Sequence, residues 1–280
     1  MWPITAHCAH AFDGTIQNNG FFACPSLDIF PPIAWHNEKY LEIRKRNIYI
    51  KSKFNIVTPS RWLADKIGQS ILNDKPISVI YNGIDTSVFK PYNRDKSRQE
   101  LGLPQDKHII LVVAKGGASN PWKGGNYAQG AIEAFKGDSR AFFVDLGGNA
   151  SHTTDQVKVV SFVADQALLA KYYSAADTLL YPSIADNCPL VVLEAMACGL
   201  PVISFSTGGI PELIDHKKTG YIARYKDAVG LANGITWMLM RTPTEHTAMR
   251  ESAVIKIRSE FTLNYMTEQY LELYKSILKK

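Results

Sequence analysis

The chain has 280 residues, of which 46% are hydrophobic and 20% are charged, and its formal net charge at pH 7 is +5. These values are typical of a globular protein with two domains of ordinary size, and so small a charge excess gives no support for a nucleic-acid partner. The longest apolar runs, such as residues 109–114, are too short to span a bilayer, and the N-terminus lacks a basic segment followed by an apolar core. We therefore expect a cytoplasmic protein.

The cysteines give no sign of a disulfide framework, because no two of them form a Cys-x-x-Cys pair. There are four: Cys8, Cys24, Cys188 and Cys198. Two of these lie near His7 and His10, so the N-terminal segment holds several residue types that bind metals. Their spacing fits no common zinc site, and we expect ordinary packing rather than a metal centre.

The first third of the chain begins with turn signals in residues 1–27 and continues with a predicted helix over residues 32–53. That helix carries six basic side chains: Lys39, Arg44, Lys45, Arg46, Lys51 and Lys53. A solvated helix face is the ordinary interpretation, and contact with acidic lipid head groups or an anionic acceptor is the alternative. Two short strands are predicted at residues 55–58 and 77–80, with a helix between them.

From His108 onward, strands and helices alternate regularly. Strands are predicted at 109–113, 141–146, 157–161, 178–181 and 201–204, and helices at 127–136, 166–175, 190–198, 211–214, 228–241 and 243–279. Such alternation predicts a doubly wound, Rossmann-like domain with a parallel sheet and right-handed crossovers.

The segment from Tyr181 to Ile214 carries the strongest functional pattern. Asp186 lies in the loop after a buried strand, and Glu194 lies eight residues later in the first turns of a helix. Ligands of parallel sheets collect at such strand ends, and the free N–H groups of a helix N-terminus, here at Leu190 and Val191, suit a diphosphate. The carboxylate of Glu194 can accept two hydrogen bonds from ribose hydroxyls.

A glycine-rich turn follows at Gly208 and Gly209, within Gly-Gly-Ile-Pro-Glu. Taken singly, each of these features is commonly structural. In combination, the two spaced acids, Ala-Met-Ala-x-Gly-x-Pro-Val at 195–202 and Gly-Gly-x-Pro-Glu at 208–212 resemble the signature of group 1 (family 4) retaining glycosyltransferases. The resemblance implies the GT-B fold, in which one Rossmann-like domain binds the acceptor and a second binds the donor.

The resemblance also implies a domain organisation. The stretch Asn-Gly-Ile-Asp at 82–85 is similar to the place where the family passes into its second domain. We therefore expect a partial N-terminal, acceptor-side domain at 1–91, a donor-binding domain at 92–262, and a C-terminal helix at 263–280 that crosses back to the first domain. About 90 residues precede that boundary, fewer than the roughly 150 of a doubly wound domain, so the N-terminal domain is expected to lack its first part.

Further donor contacts follow from the resemblance alone. Lys123, in Pro-Trp-Lys-Gly-Gly, occupies the place of the family's phosphate-binding lysine, and the N–H of Gly117 would assist it. Phe162 and Val163 would lie beside the nucleotide base. The chain departs from the family at Asp186, where glutamate is usual.

The implied reaction moves a sugar from a UDP- or GDP-sugar to a saccharide or lipid-linked acceptor with retention of configuration, in polysaccharide or glycoconjugate synthesis. Asp186 would hold the sugar hydroxyls and Glu194 the ribose, and no metal cofactor is expected. The alternative is an inactive nucleotide-sugar-binding module that needs a partner chain. An epimerase of the same fold fits less well, because the spaced acids and the Gly-Gly-Ile-Pro-Glu turn argue against it.

Overall fold

The structure, a computed structural model, describes residues 4, 28, 34–113, 121–148 and 151–279. The chain divides into two compact units, Met1–Ile80 and Tyr81–Lys280. This division falls earlier in the chain than the predicted boundary near Pro91. The reason is that Ile84 exchanges backbone hydrogen bonds with Phe261 and Leu263, which ties the segment after Ile80 to the second unit. The N-terminal histidines and cysteines lie outside the described residues.

The described part of the first unit contains two helices and two short strands. They are α1 (Glu38–Lys51), β1 (Ile56–Thr58), α2 (Arg61–Gly68) and β2 (Ile77–Val79). The strands pair in parallel. A small apolar cluster forms where Ile67, Ile71 and Leu72 pack with Ile56 and Ile77. Ser60 caps α2 by accepting a hydrogen bond from the Leu63 N–H, which fixes where that helix begins.

The second unit is built on a seven-stranded sheet. Its strands are β3 (His108–Val113), β4 (Ala141–Leu146), β5 (His152–Thr153), β6 (Val157–Val160), β7 (Thr178–Tyr181), β8 (Val202–Phe205) and β9 (Gly220–Ala223). They lie in the order β5-β6-β4-β3-β7-β8-β9, and every pairing is parallel except that of β5 with β6. The predicted parallel sheet is confirmed, with β5 and β9 as strands that the sequence analysis did not identify.

Helices cover both faces of this sheet. The helices of this unit are α3 (Arg94–Leu101), α4 (Gly125–Ala134), α5 (Gln166–Ala175), α6 (Leu190–Ala197), α7 (Ile210–Leu213), α8 (Ala228–Leu239), α9 (Pro243–Glu260) and α10 (Leu263–Leu278), the last of which adds no residue to the apolar cores. The single helix predicted over residues 243–279 is wrong, because it is two helices. The first ends at Glu260, and Thr262 caps the second by accepting a hydrogen bond from the Tyr265 N–H.

Alternate side chains of the central strands enter separate apolar cores on the two faces of the sheet. Leu111 and Val144 belong to one core, and Ile110 and Phe143 belong to the other. Both are fully covered, which explains the near-continuous apolar runs of β3 and β4 in the sequence. Within the part of the chain that the structure describes, no helix is long and apolar enough to cross a membrane.

The strand order also fixes where a ligand would bind. From β3 the chain builds outward through β4 to β6, and it then returns to place β7 on the other side of β3. The strand order therefore reverses between β3 and β7, and in doubly wound sheets such a reversal leaves a crevice at the carboxyl ends of the two strands. Ligands of doubly wound sheets bind in such a crevice.

Candidate functional site

A lysine and an aspartate from the two crevice loops form an ion pair. Lys123 ends a single turn of 3-10 helix in the connection after β3, and Asp186 lies in the connection after β7. The Lys123 Nζ donates to Asp186 Oδ2 at 2.6 Å, with 34% of the lysine side chain and 16% of the aspartate side chain exposed. Two residues that the sequence analysis selected separately therefore meet at the predicted edge of the sheet.

The carboxylate of Asp186 is held by more than this lysine. Its Oδ2 also accepts hydrogen bonds from the Tyr181 hydroxyl at 2.5 Å and the Ser183 hydroxyl at 3.2 Å. Its Oδ1 accepts the N–H of Asn187 at 3.2 Å. Burial, with the charge of Asp186 next, raises the pKa of Tyr181 well above its ordinary value, so that this phenol stays a donor at neutral pH.

The lysine keeps hydrogen-bonding capacity for a ligand. An ammonium group has three donors. Lys123 directs one to Asp186 and another to the Tyr181 hydroxyl at 3.0 Å, and no further hydrogen bond of Lys123 is formed with the described residues. The third N–H is therefore available to an anion, while the ion pair fixes the position of the charge.

Gly124 allows the two loops to approach each other closely. Its backbone is left-handed, with φ of 70°, and a Cβ at this position would lie 1.8 Å from the carbonyl oxygen of Pro182. Only glycine meets both conditions. The Trp122 carbonyl oxygen accepts hydrogen bonds from the Ile184 N–H at 3.1 Å and the Ser183 hydroxyl at 3.2 Å, which joins the loops further.

The N-terminus of α6 provides the second part of the site. Pro189 occupies the N-cap position, and no side chain caps the helix. Leu190 and Val191 are its first two residues, so their N–H groups precede the regular hydrogen bonds within the helix. Leu190 is 47% exposed, which leaves this end open to solvent. The positive end of the helix dipole favours an anion here.

Glu194 lies one turn further along α6. Its Oε2 accepts a hydrogen bond from the Tyr173 hydroxyl at 3.1 Å. Burial raises the pKa of Glu194, and the hydrogen bond from Tyr173 opposes that shift. Burial, followed by the charge of Glu194, raises the pKa of Tyr173 well above its ordinary range, so Tyr173 remains a neutral donor.

The two tyrosines link the predicted carboxylates, and the sequence analysis did not select either as a site residue. The phenol of Tyr181 lies within the electrostatic influence of both Asp186 and Glu194. Tyr173 bonds Glu194 from the neighbouring helix α5. In sequence each tyrosine looks like an apolar core residue. A buried tyrosine hydroxyl usually has a hydrogen-bond partner, and this rule is the one signal that could have pointed to a nearby carboxylate.

The glycine-rich turn lies at the carboxyl end of β8. Gly208 has φ of 53°, and Gly209 is the N-cap of the short helix α7. Thr207, beside them, is 2% exposed, and its Oγ1 has no hydrogen-bond partner among the described residues. In α7, Glu212 Oε2 accepts a hydrogen bond from the Tyr81 hydroxyl at 2.8 Å.

The residues predicted to lie beside the base follow β6. Phe162 is 63% exposed, and Val163 packs against the apolar core. Both lie past the carboxyl end of that strand, on the β4 side of the crevice. Gly117 lies outside the described residues. Among the residues that the structure describes, no three His, Cys, Asp or Glu side chains converge into a group that could hold a metal ion.

Residues 112–241 match the family model described as glycosyl transferases group 1. Among curated proteins, the chain is 26% identical over 235 residues to N-acetyl-alpha-D-glucosaminyl L-malate synthase of Bacillus anthracis, covering 80% of this chain and 60% of the relative. It is 28% identical over 219 residues to D-inositol 3-phosphate glycosyltransferase of Mycolicibacterium paratuberculosis, covering 73% and 48%. The chain therefore spans about half to three-fifths of the length of these relatives.

Solved structures share the fold. Sucrose-phosphate synthase of Thermosynechococcus elongatus aligns with a TM-score of 0.73 at 23% identity, over 87% of this chain and 63% of that protein. HepE of Anabaena, solved in complex with UDP-glucose, aligns with a TM-score of 0.67 at 22% identity, over 86% and 69%. These likenesses confirm the predicted GT-B fold class. Residues 112–241, which carry Lys123, Asp186 and Glu194, are the part of this chain that is similar to the group 1 glycosyltransferases.

Proposed function

We propose that this protein is a glycosyltransferase that binds a nucleotide-diphosphate sugar, such as a UDP- or GDP-sugar, and transfers the sugar with retention of configuration. The observation that carries the proposal is the convergence of the Lys123–Asp186 pair and the uncapped start of α6 on one crevice. The names of the matched relatives, and a structural neighbour solved with UDP-glucose, support the same activity.

The diphosphate is the part of the donor for which the site is best equipped. The free N–H of Lys123 and the first N–H groups of α6, at Leu190 and Val191, are proposed to bind it, with the amides of Gly208 and Gly209 opposite. Such fixed donors stabilise the negative charge that grows on a departing diphosphate. Since these groups supply the positive potential, we propose that the reaction needs no metal cofactor.

The two carboxylates are proposed to hold the two sugars of the donor. Glu194 Oε2 already accepts from Tyr173, which leaves Oε1 to accept hydrogen bonds from ribose hydroxyls. Asp186 is proposed to bind hydroxyls of the transferred sugar near the reacting carbon. Phe162 and Val163 are proposed to lie beside the base. The acceptor is proposed to be a saccharide or a lipid-linked saccharide of a polysaccharide or glycoconjugate pathway.

Calorimetric titration with UDP and with GDP tests the donor site. The wild-type chain is expected to bind at least one of them, and Glu194→Ala is expected to weaken that binding by about tenfold to a hundredfold, because a charged hydrogen-bond partner of the ribose is lost. Absence of binding to both nucleotides would refute the proposal.

Glu251→Ala provides the matched control for this titration. Glu251 is an exposed glutamate on α9, so the substitution changes the net charge equally at a surface position that the proposed donor site does not use. It is expected to leave nucleotide affinity unchanged. Thermal melts of both variants establish that each is folded, and equal losses of affinity in the two variants would contradict a direct role for Glu194.

Helix α1 is proposed to contact an acidic membrane surface. Besides the basic residues identified in the sequence, it exposes apolar side chains, including Tyr40, Ile43 and Ile48. Apolar and basic groups together on one exposed helix favour binding at an anionic lipid interface.

Sedimentation with vesicles tests this contact. The chain is expected to sediment with vesicles containing phosphatidylserine and to remain free with neutral phosphatidylcholine. Arg44→Gln with Lys51→Gln is expected to weaken binding by roughly 2 kcal/mol, about thirtyfold, at about 1 kcal/mol for each basic residue. The control is Lys136→Gln with Lys171→Gln, two exposed lysines of the second unit. Equal binding to both vesicle types would rule the contact out.

A further inference from the structure

A second concave site lies at the opposite edge of the sheet. A cavity of about 440 Å³ is lined by residues at the amino-terminal ends of three strands, where Lys107 precedes β3, Arg140 precedes β4 and Asp177 precedes β7. The end of α8 and the first turns of α9 complete it. Since β3 is six residues long, this cavity lies about 17 Å or more from the crevice that holds Lys123.

The acidic group of this cavity is already neutralised. Asp177 Oδ2 accepts from the Arg98 guanidinium at 2.6 Å and the Ile109 N–H at 2.7 Å, and Oδ1 accepts from Arg94 at 2.8 Å. Arg98 is fully buried and is not part of the cavity wall, so its positive charge compensates the charge of Asp177 from the protein interior. Asp106 is the other acidic residue that lines the cavity.

Two basic residues of the wall form no ion pair with a carboxylate of the described residues. Arg250 donates to the carbonyl oxygens of Ala176 at 2.9 Å and Ser174 at 3.2 Å. Lys107 donates to the carbonyl oxygen of Asp155 at 3.2 Å. No carboxylate of the described residues forms an ion pair with either. Burial lowers the pKa of Arg250, in keeping with a guanidinium that lacks a full counter-charge.

Two further arginines line the rim. Arg140 pairs with Asp138, with side chains 61% and 23% exposed, and Arg241 pairs with Glu245, with side chains 27% and 45% exposed. Exposed pairs of this kind contribute little to stability and exchange partners readily. With Arg94, Lys107, Arg250 and the buried Arg98 they make six basic side chains in or beside the wall, so a net positive charge remains when their carboxylate neighbours are counted. Those neighbours are Asp95, Asp106, Asp138, Asp177 and Glu245.

A histidine pair lies in the same wall. The rings of His108 and His246 are 5.2 Å apart. Burial lowers the pKa of His108 to about 4, against the opposing charge of Asp177, and burial also lowers the pKa of His246. Both rings are therefore neutral at pH 7, and an anion placed beside them would favour their charged forms.

We propose that this cavity binds the phosphate group of a small phosphorylated molecule, at a site separate from the donor crevice. The guanidinium group of an arginine can donate two parallel hydrogen bonds to two oxygens of one phosphate. The volume of the cavity is that of a small-molecule site rather than of a macromolecular surface. Its wall joins β3 and β7, the same two strands whose far ends carry the donor crevice.

Titration calorimetry at low ionic strength tests the site with inorganic pyrophosphate and with glucose 6-phosphate. Lys107→Gln with Arg140→Gln removes two accessible charges of the wall without touching the buried Arg98–Asp177 pair. This double variant is expected to weaken binding of the probe at least about tenfold. Binding of pyrophosphate alone identifies a site for bare phosphate groups, and tighter binding of glucose 6-phosphate identifies one that also contacts an organic part; either supports the proposal.

Two controls separate this site from other causes. Lys136→Gln with Lys171→Gln makes the same change of net charge elsewhere and is expected to bind the probe as the wild type does. A Lys123→Gln background removes the proposed diphosphate contact of the donor crevice, and in that background Lys107→Gln with Arg140→Gln is still expected to weaken probe binding at least about tenfold. The proposal is overturned if neither probe binds the wild type, if the two double variants lose affinity equally, or if Lys123→Gln alone abolishes probe binding. None of these results bears on the binding of UDP or GDP through Glu194.

Discussion

Replacing Asp186 with asparagine is expected to lower the rate of sugar release from the donor by about 10²–10³-fold while nucleotide affinity stays the same or rises. The carboxylate is the anchor of the site, since its Oδ2 accepts from Lys123, Tyr181 and Ser183. Without its charge, the transferred sugar loses its proposed partner. Lys123 loses its counter-ion at the same time and becomes a stronger partner for the diphosphate.

The measurement pairs two assays on one variant. Release of UDP from UDP-glucose, or of GDP from GDP-mannose, reports the rate, and calorimetry with the matching nucleotide reports affinity. Lys123→Gln is the informative comparison, because it is expected to weaken nucleotide binding by about tenfold or more and so to move affinity in the opposite direction. If Asp186→Asn and Lys123→Gln weaken nucleotide binding alike, the ion pair acts only as a structural tie between the loops.

Replacing Arg98 with leucine is expected to cost about 3–5 kcal/mol of unfolding free energy. The guanidinium is fully buried and donates to Asp177 and to the carbonyl oxygens of four residues. These are Ala175, Pro104, Gln105 and Lys107. Leucine removes the charge and all of these donors, and it leaves a buried carboxylate with its oxygens only partly satisfied.

Thermal unfolding measures this loss, and a fall in melting temperature of about 10 °C is expected for a unit of this size. Arg94→Ala is the matched control, because Arg94 bonds the same carboxylate from a side chain that is 40% exposed. Its loss is expected to cost about 1 kcal/mol or less. An Arg98→Leu variant that melts within 2–3 °C of the wild type, roughly the effect of 1 kcal/mol, would show that this buried pair is not a main support of the sheet edge.

The sequence was sufficient to predict those strands that are buried on both faces and bounded by turn residues. The strands β3, β4 and β7 stand out as apolar runs bounded by turn residues, since both faces of these strands are covered. Short edge elements could not be identified in this way. In β9, Gly220 sits in the strand because a Cβ there would lie 2.1 Å from the Val202 carbonyl oxygen, which is a constraint set by a residue distant in sequence.

The sequence also determined the chemical identity of the candidate site and its edge of the sheet, because the spaced acids, the lysine loop and the glycine turn are each encoded within short stretches. Only the tertiary structure decided which groups meet. It paired Lys123 with Asp186 and added Tyr181 and Tyr173 as donors to the two carboxylates.

The cavity beside Arg250 depended on tertiary structure in the same way. Its wall is drawn from the starts of three strands and two helices that are far apart along the chain. Local pattern specifies elements, whereas the order of strands in the sheet specifies which of their ends become neighbours. The sequence thus supplied the charged and hydrogen-bonding side chains, and the topology of the sheet placed them together at its two opposite edges.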